Sequence, residues 1–363
     1  MKPLAVGIIG CGNISGVYFE AGKKFEALNI VACADLDKAR AEAKAQENGV
    51  RALTVDALVS DPDIDLVINL TIPAAHYELC KRALENGKHA YTEKPLSLTR
   101  EQGRDLLDTA KAKGVRIGGS PDTFLGAGLQ TCRELIDGGE IGTPIGATGF
   151  MLGHGPEDWH PDPEFFYQIG GGPMFDMGPY YLTALVSLLG PIKRLTGSAQ
   201  ISVPERTIGS GARQGQNIPV EIPTHIAGVM DFAAGPVATL VTSFDVWAAQ
   251  HPPIEIYGTL GSLSVPDPNY FGGQVRIHRF DDKDWRDVPN TRPYTENSRG
   301  IGVAEMAYAI AAGRPHRASG DLAFHVLDAM HGFHDASAQG KHYTMTTAPE
   351  RPAPLPNDWP AGE

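Results

Sequence analysis

Leu4-Ala5-Val6-Gly7-Ile8-Ile9-Gly10-Cys11-Gly12-Asn13-Ile14-Ser15 is an apolar run that ends on two glycines one residue apart and passes into a stretch with helical spacing. A buried strand that turns through glycines into a helix is how a dinucleotide-binding βαβ unit begins. Gly10 permits the tight turn, and Gly12 lets backbone approach a pyrophosphate. The third position needs only a small side chain, here Ser15 with Gly16 behind it. The phosphates then face a helix amino terminus. A glycine loop by itself serves any strand-to-helix turn, but Asp35 supplies the other half of the fingerprint. It ends the second apolar run, Ile30–Ala34, where a carboxylate receives the ribose hydroxyls. Gly10, Gly12, Asn13, Ile14 and Asp35 are therefore candidate cofactor contacts. Because Asp35 would repel a 2′-phosphate, NAD is expected in preference to NADP. Lys38 and Arg40 read as solvated residues of the next helix, with softening of that repulsion as the alternative.

Outward from this loop, β-rich runs alternate with helical stretches: Ala5–Ile9, Ile30–Ala34, Leu66–Leu70, His89–Thr92 and Val115–Ile117 are the expected strands. Gly49, Gly87 and Gly114 each follow a helical run, and Thr99 with Gln102 forms a capping box. After Pro121 the rhythm changes. A helix near Leu129–Asp137, a strand near Ile145–Met151, a long loop and a helix from about Met174 to Leu189 precede six strands. These are Arg194–Val203, His225–Phe232, Ala238–Ser243, Ile254–Tyr257, Ser262–Val265 and Val275–Phe280. Two closing helices are expected near Arg299–Ala312 and Leu322–Ala338. The fold class is thus α/β: an N-terminal Rossmann domain, a doubly wound parallel sheet, over 1–121, then an α+β domain over 122–345. The second domain carries a large, mostly antiparallel, open-faced sheet suited to substrate binding and oligomerisation. The tail 346–363, with Pro349, Pro352, Pro354, Pro356 and Pro360, is expected to be extended or poorly ordered.

Bulk properties narrow the function. A chain of 363 residues exceeds what one core usually serves. The net charge of −12, without a basic run, argues against nucleic acid and anionic membranes as partners. Apolar runs such as Leu182–Leu189 are far shorter than the roughly twenty residues of a spanning helix. The first run passes straight into the glycine loop and reads as a strand, not a leader. Cys11, Cys33, Cys80 and Cys132 show no paired spacing, which suits reduced thiols and a cytoplasmic location.

Two further segments carry chemistry. Tyr91-Thr92-Glu93-Lys94-Pro95 lies where strand carboxyl ends meet ligand in a doubly wound sheet, which aims Lys94 at a cleft. A lysine also ends many surface strands. Gly170-Gly171-Gly172-Pro173-Met174-Phe175-Asp176-Met177-Gly178-Pro179-Tyr180-Tyr181 feeds a helix on which Asp176 and Tyr180, four apart, share a face. Asp176 also suits a plain helix cap.

With these motifs the sequence resembles the glucose–fructose oxidoreductase, inositol dehydrogenase and rhizopine catabolism family (Gfo/Idh/MocA) over nearly its whole length. The carriers are Gly7-Ile8-Ile9-Gly10-Cys11-Gly12, Glu93-Lys94-Pro95, Gly170-Gly171-Gly172 through Asp176 and Gly178, and Glu255-Ile256-Tyr257-Gly258-Thr259-Leu260-Gly261-Ser262. The resemblance implies a Rossmann domain and a sheet-bearing domain with nicotinamide between them. It implies cofactor contacts at Thr71, Ile72, His76, Glu93 and Lys94, and Ile72 stands where proline is commoner. The catalytic residues it implies are Lys94, Asp176 and Tyr180, although the family usually has histidine where Tyr180 stands. A phenol ordinarily titrates near 10, so Tyr180 needs the Lys94 ammonium or the nicotinium charge to act as a base near neutrality. Lys94 or Tyr180 would take the hydroxyl proton while Asp176 orients lysine and substrate.

Between these motifs, His154-Gly155-Pro156-Glu157-Asp158-Trp159-His160-Pro161 mixes hydrogen-bonders with a large aromatic, as a carbohydrate site requires. His154, Glu157, Trp159 and Tyr167 join Lys94, Asp176 and Tyr180 as candidate substrate contacts. No helical ligand spacing supports a metal at His154, His160 and Asp176, so none is expected. His251, His331 and His334 read as surface or interface residues. Gly209–Gly215 reads as a mobile hairpin tip or a clamp on substrate or subunit. The expected activity is NAD(H)-dependent hydride transfer to or from a secondary alcohol or ketone of a sugar, glycoside or cyclic polyol, in a homodimer or homotetramer built through the second sheet. Two rivals stand beside it: glycoside cleavage by transient oxidation and elimination, and a non-catalytic NAD-sensing regulator.

Overall fold

The structure, a computed structural model, describes residues 2–290 and 292–360. These divide into two compact units: residues 2–125, 297–327 and 355–360 form the first, and 126–290, 292–296 and 328–354 the second. The boundary thus falls slightly beyond the expected residue 121. The segment 297–327, expected in the second domain, belongs to the first.

In the first unit the chain runs β1 (Leu4–Ile9), α1 (Ser15–Lys24), β2 (Leu28–Ala34), α2 (Lys38–Asn48), β3 (Arg51–Leu53), α3 (Val55–Ser60), β4 (Leu66–Asn69), α4 (Pro73–Glu85), β5 (His89–Thr92), α5 (Arg100–Lys113) and β6 (Ile117–Gly119). The six strands are parallel in the order β3-β2-β1-β4-β5-β6. That order reverses direction beside β1 and leaves a crevice at the carboxyl ends of β1 and β4, where such sheets take ligand. The short β3 and α3 lack the length and periodicity that made the other elements legible. Gly49 and Gly114 cap α2 and α5 in left-handed conformation, at φ 68° and 66°. Thr99 accepts from the Gln102 amide, and Gln102 reaches back to the Leu98 amide.

The second unit begins with α6 (Ala127–Asp137), β7 (Pro144–Leu152), α7 (Gly172–Asp176) and α8 (Gly178–Leu189), then β8 (Ile192–Gln200), β9 (Glu205–Thr207), β10 (Asn217–Pro219), β11 (His225–Phe232), β12 (Val237–Ser243), β13 (Ile254–Gly258), β14 (Gly261–Val265), β15 (Val275–Arg279) and β16 (Arg286–Val288). After α9 (Ile301–Ala311) of the first unit come α10 (Gly320–Gln339), which passes from the first unit into the second at residue 328, and β17 (Tyr343–Thr344). Nine strands form one sheet, β16-β15-β14-β13-β7-β12-β11-β8-β17, antiparallel except where β7 pairs with β12. Every residue of α8 is buried, as its largely apolar sequence requires. Phe333 of α10 fills the space left by Gly228, where a Cβ would stand 2.5 Å from the ring. The opposite face stays open and mixed, with Thr148, Glu255 and Tyr257 joined by hydrogen bonds.

The helix expected from Met174 to Leu189 is interrupted. Met177 separates α7 from α8, and Pro179 has no amide hydrogen to continue the ladder, so the Tyr180 amide donates to Met177 one residue short of the α-helical partner. The tail is extended but packed. Leu355 and Trp359 are buried, with the Trp359 ring 5.8 Å from Phe25 and 5.6 Å from Tyr308. Residues 361–363 lie outside the described residues.

Candidate functional site

The glycine loop follows β1 with the geometry its sequence predicts. Gly10 has φ 98°, and a Cβ there would come within 2.8 Å of the Leu70 carbonyl. A Cβ at Gly12 would meet nothing within 4 Å, which leaves the cradle that a pyrophosphate needs. The Ser15 hydroxyl donates to the Gly12 carbonyl at 2.7 Å, tightening the turn. No side chain caps α1 and no acid occupies its first turn, so the positive end of the helix is left for phosphate. The loop therefore fits a dinucleotide.

Asp35 follows β2 and braces the loop. Its Oδ2 accepts from the Cys11 amide at 2.8 Å and its Oδ1 from the Asp37 amide at 2.9 Å. Each oxygen keeps a lone pair for a ribose hydroxyl. Arg40 does more than meet solvent, for its guanidinium lies 3.5 Å from Asp35. Asp35→Ser is expected to shift the NADP-to-NAD preference by about tenfold or more, some 1.4 kcal/mol. Asp35→Asn keeps an acceptor for Cys11 and separates loop support from charge. Steady-state kinetics with both cofactors check this, and unchanged selectivity in both variants removes Asp35 from cofactor choice.

Thr71 and Ile72 lead into α4, where Ile72 is the N-cap and stands exposed. The Thr71 hydroxyl donates to Asn69 at 2.7 Å. His76 corrects an expectation. It is wholly buried, with Nδ1 2.7 Å from the Pro95 carbonyl and Nε2 3.0 Å from the Thr71 carbonyl. Burial lowers its pKa, and its two nitrogens face the loops after β4 and β5 rather than offering an open polar edge.

Glu93 emerges from β5. One oxygen accepts from the Tyr18 hydroxyl at 2.7 Å and lies 3.4 Å from Ser120, while the other accepts from the Lys94 amide at 3.2 Å. Tyr18 is fully enclosed, and burial, reinforced by Glu93, drives its pKa upward so that it stays a donor. Asp122 accepts from the amides of Gly300 and Gly302, and burial pushes it up to about 6. The backbone of Lys94 is thereby fixed at the carboxyl edge of the sheet. Tyr18, Ser120 and Asp122 carry no sequence signature, because their partners lie far along the chain.

In the second unit, Asp176 ends α7 and Tyr180 lies in the first turn of α8, so the shared helix face expected for them is broken at Met177. Asp176 is half-buried and Tyr180 buried. His331 and His334, expected at a surface or interface, are half-buried and pack against Phe175, with ring centroids at 5.0 and 5.9 Å. Burial lowers the His334 pKa.

Two expected substrate contacts are corrected. Tyr167 and Glu157 are buried and bonded to each other, and Glu157 also accepts from Arg206 at 2.8 Å. Arg206 forms a second ion pair with Asp245 and reaches the Phe244 carbonyl at 3.2 Å. Burial, then the hydrogen bond to Glu157, raises the Tyr167 pKa, so it remains a phenol. These four side chains hold a loop core rather than a ligand. His154 and Trp159 remain near the surface, Trp159 well exposed. Gly209–Gly215 joins β9 to β10 and is tied down, with the Gly209 amide donating to the Glu157 carbonyl and Gly211 against Pro161. Among the described residues, no group of three His, Cys, Asp or Glu side chains is placed to hold a metal ion.

The family model described as an oxidoreductase family with an NAD-binding Rossmann fold matches residues 4–119, and that of the Gfo/Idh/MocA C-terminal domain matches residues 129–264. The 1,5-anhydro-D-fructose reductase of Ensifer adhaerens is 28% identical over 265 residues, 71% of this chain and 74% of that protein. The levoglucosan dehydrogenase of Pseudarthrobacter phenanthrenivorans is 26% identical over 292 residues, 72% of this chain and 73% of its own. The crystal structure of an NAD binding oxidoreductase from Klebsiella pneumoniae superposes with a TM-score of 0.84 at 20% identity, covering 96% of this chain and all of that one. At that identity the likeness speaks for the fold. With both family models matched over well beyond half its length, the chain belongs to the Gfo/Idh/MocA family of NAD-binding oxidoreductases.

Proposed function

We propose that this oxidoreductase interconverts a secondary alcohol and a ketone on a sugar, glycoside or cyclic polyol, with Lys94, Asp176 and Tyr180 as its catalytic residues. The observation that carries the reading is the Glu93 anchor, which fixes the Lys94 backbone at the sheet edge that α/β proteins use for ligand. Relatives named for anhydrofructose and levoglucosan support the substrate class. Asp35 favours NAD over NADP. NAD, when bound, accepts the hydride in oxidation or, reduced, gives it back. The chain's own task is the proton: the substrate hydroxyl releases it to Lys94 Nζ or the Tyr180 oxygen, while Asp176 orients the acceptor and the substrate. His154 and Trp159 complete the substrate contacts of the second unit. Four free, buried thiols suit a reducing cytoplasm. Among the described residues no helix is long and apolar enough to cross a membrane. The open sheet face, with Val237 exposed on it, suits a homodimer or homotetramer.

An NADH-formation screen over monosaccharides, inositols, anhydrosugars and glycosides tests this. NADH formation with at least one polyhydroxylated ring is expected. Release of an aglycone without net NADH would instead favour transient oxidation and elimination, and inertness to the whole panel would overturn the reading.

A further inference from the structure

The loop after β12 places an indole where no packing demands one. Trp247 is 79% exposed, yet its ring is not loose: it stacks on His154 with centroids 3.4 Å apart and planes 18° from parallel. The support below is built in depth. His154 Nδ1 is buried, 3.7 Å from Glu157 and 3.6 Å from Asp158, and Glu157 is itself pinned by Arg206 and Tyr167. The loop is fixed on both sides of the indole, by the Val246 amide donating to the Gly153 carbonyl at 3.1 Å and by His251 stacking on Phe150 at 4.5 Å. One face of Trp247 is thus held against imidazole while the other is presented to solvent in a set orientation.

Gly153 and Phe244 lie just beyond β7 and β12, which run parallel and end together at Leu152 and Ser243. Gly172, the first residue of the helix ending in Asp176, sits against Ile222 and Pro223, on the approach to β11, whose His225 pairs with Ser243. The indole and the Asp176 helix therefore leave the same end of the sheet. A rigid flat aromatic with a carboxylate at its border matches a pyranose, which offers C–H groups on its faces and hydroxyls on its rim. Asp158, 63% exposed and 3.6 Å from the imidazole on which the indole rests, is the carboxylate assigned to that rim.

We propose that the outer face of Trp247 is a second sugar-ring subsite, with Asp158 at its border, so that two-ring substrates are preferred to free monosaccharides. The proposal rests on the sugar-oxidoreductase reading and narrows its substrate class to disaccharides and glycosides with a cyclic aglycone. The test compares wild type, Trp247→Ala and Trp247→Phe in the full chain with NAD. Steady-state kinetics use cellobiose, maltose, lactose and an aryl glucoside against glucose, xylose and myo-inositol. For two-ring substrates KM is expected to rise about three- to tenfold in Trp247→Ala and to recover in Trp247→Phe, with single-ring values unchanged within about twofold. Equal changes in both classes, or none, would overturn it. So would a change in oligomeric mass by light scattering, which would show that the indole meets a second copy. Saturation-transfer NMR with cellobiose and maltose reads the platform independently of turnover. Loss of transfer in Trp247→Ala supports the subsite even if no sugar reduces NAD, and absence of transfer in wild type refutes it even if monosaccharides are oxidised.

Discussion

Lys94→Met is expected to lower kcat by about 10²- to 10⁴-fold while NAD binds as before. Methionine keeps much of the lysine stem's length and apolar character but has no proton to give or take. The Lys94 backbone is fixed through its amide and Glu93, neither of which the substitution touches, so the geometry of the strand end should survive. Cofactor binding, followed by fluorescence titration with NADH, is the control. Tyr180→Phe tests the alternative proposed proton acceptor, and the double variant reads their coupling: a pair acting as one unit gives a loss far smaller than the sum of the two. Full turnover in Lys94→Met would remove the lysine from the reaction, whichever substrate is used.

The largest expected loss of stability lies in the buried ion cluster of the second unit. Arg206 is 6% exposed and neutralises both Glu157 and Asp245. Removing one member of such a group leaves uncompensated buried charge, which costs about 3–5 kcal/mol. Arg206→Met should therefore shift the urea midpoint strongly downward. A triple replacement that also converts Glu157 to Gln and Asp245 to Asn should recover much of the loss, because no bare carboxylate is then left inside. A midpoint unmoved by Arg206→Met would show that water reaches the cluster.

These two cases mark what the sequence discloses. The glycine loop, Asp35 and the strand rhythm are local, and spacing within a few residues decides them. The Thr99–Gln102 cap is equally local and appears where its residues place it. Glu157 and Tyr167 looked like substrate contacts because a polar loop rich in aromatics has the same composition whether it faces a ligand or its own interior. The partner that turns them inward, Arg206, stands 49 residues beyond Glu157 and belongs to a short strand with little periodicity. The break at Met177 was hidden for another reason: Gly178-Pro179 is as good at opening a helix as at interrupting one. The burial of His76 has no local signal, and only the carbonyls around it reveal that both nitrogens face inward.

The packed carboxyl-terminal segment has a consequence for how the polypeptide can be divided. Leu355 and Trp359 belong to the same compact unit as the first strand, and the intervening residues return to that unit once more before the end. Neither half is one continuous stretch of sequence. A stop codon just before residue 355 would strip an aromatic plug from the nucleotide-binding half, and no single cut yields two intact halves. Exchanging one half with that of a relative would require several splice points.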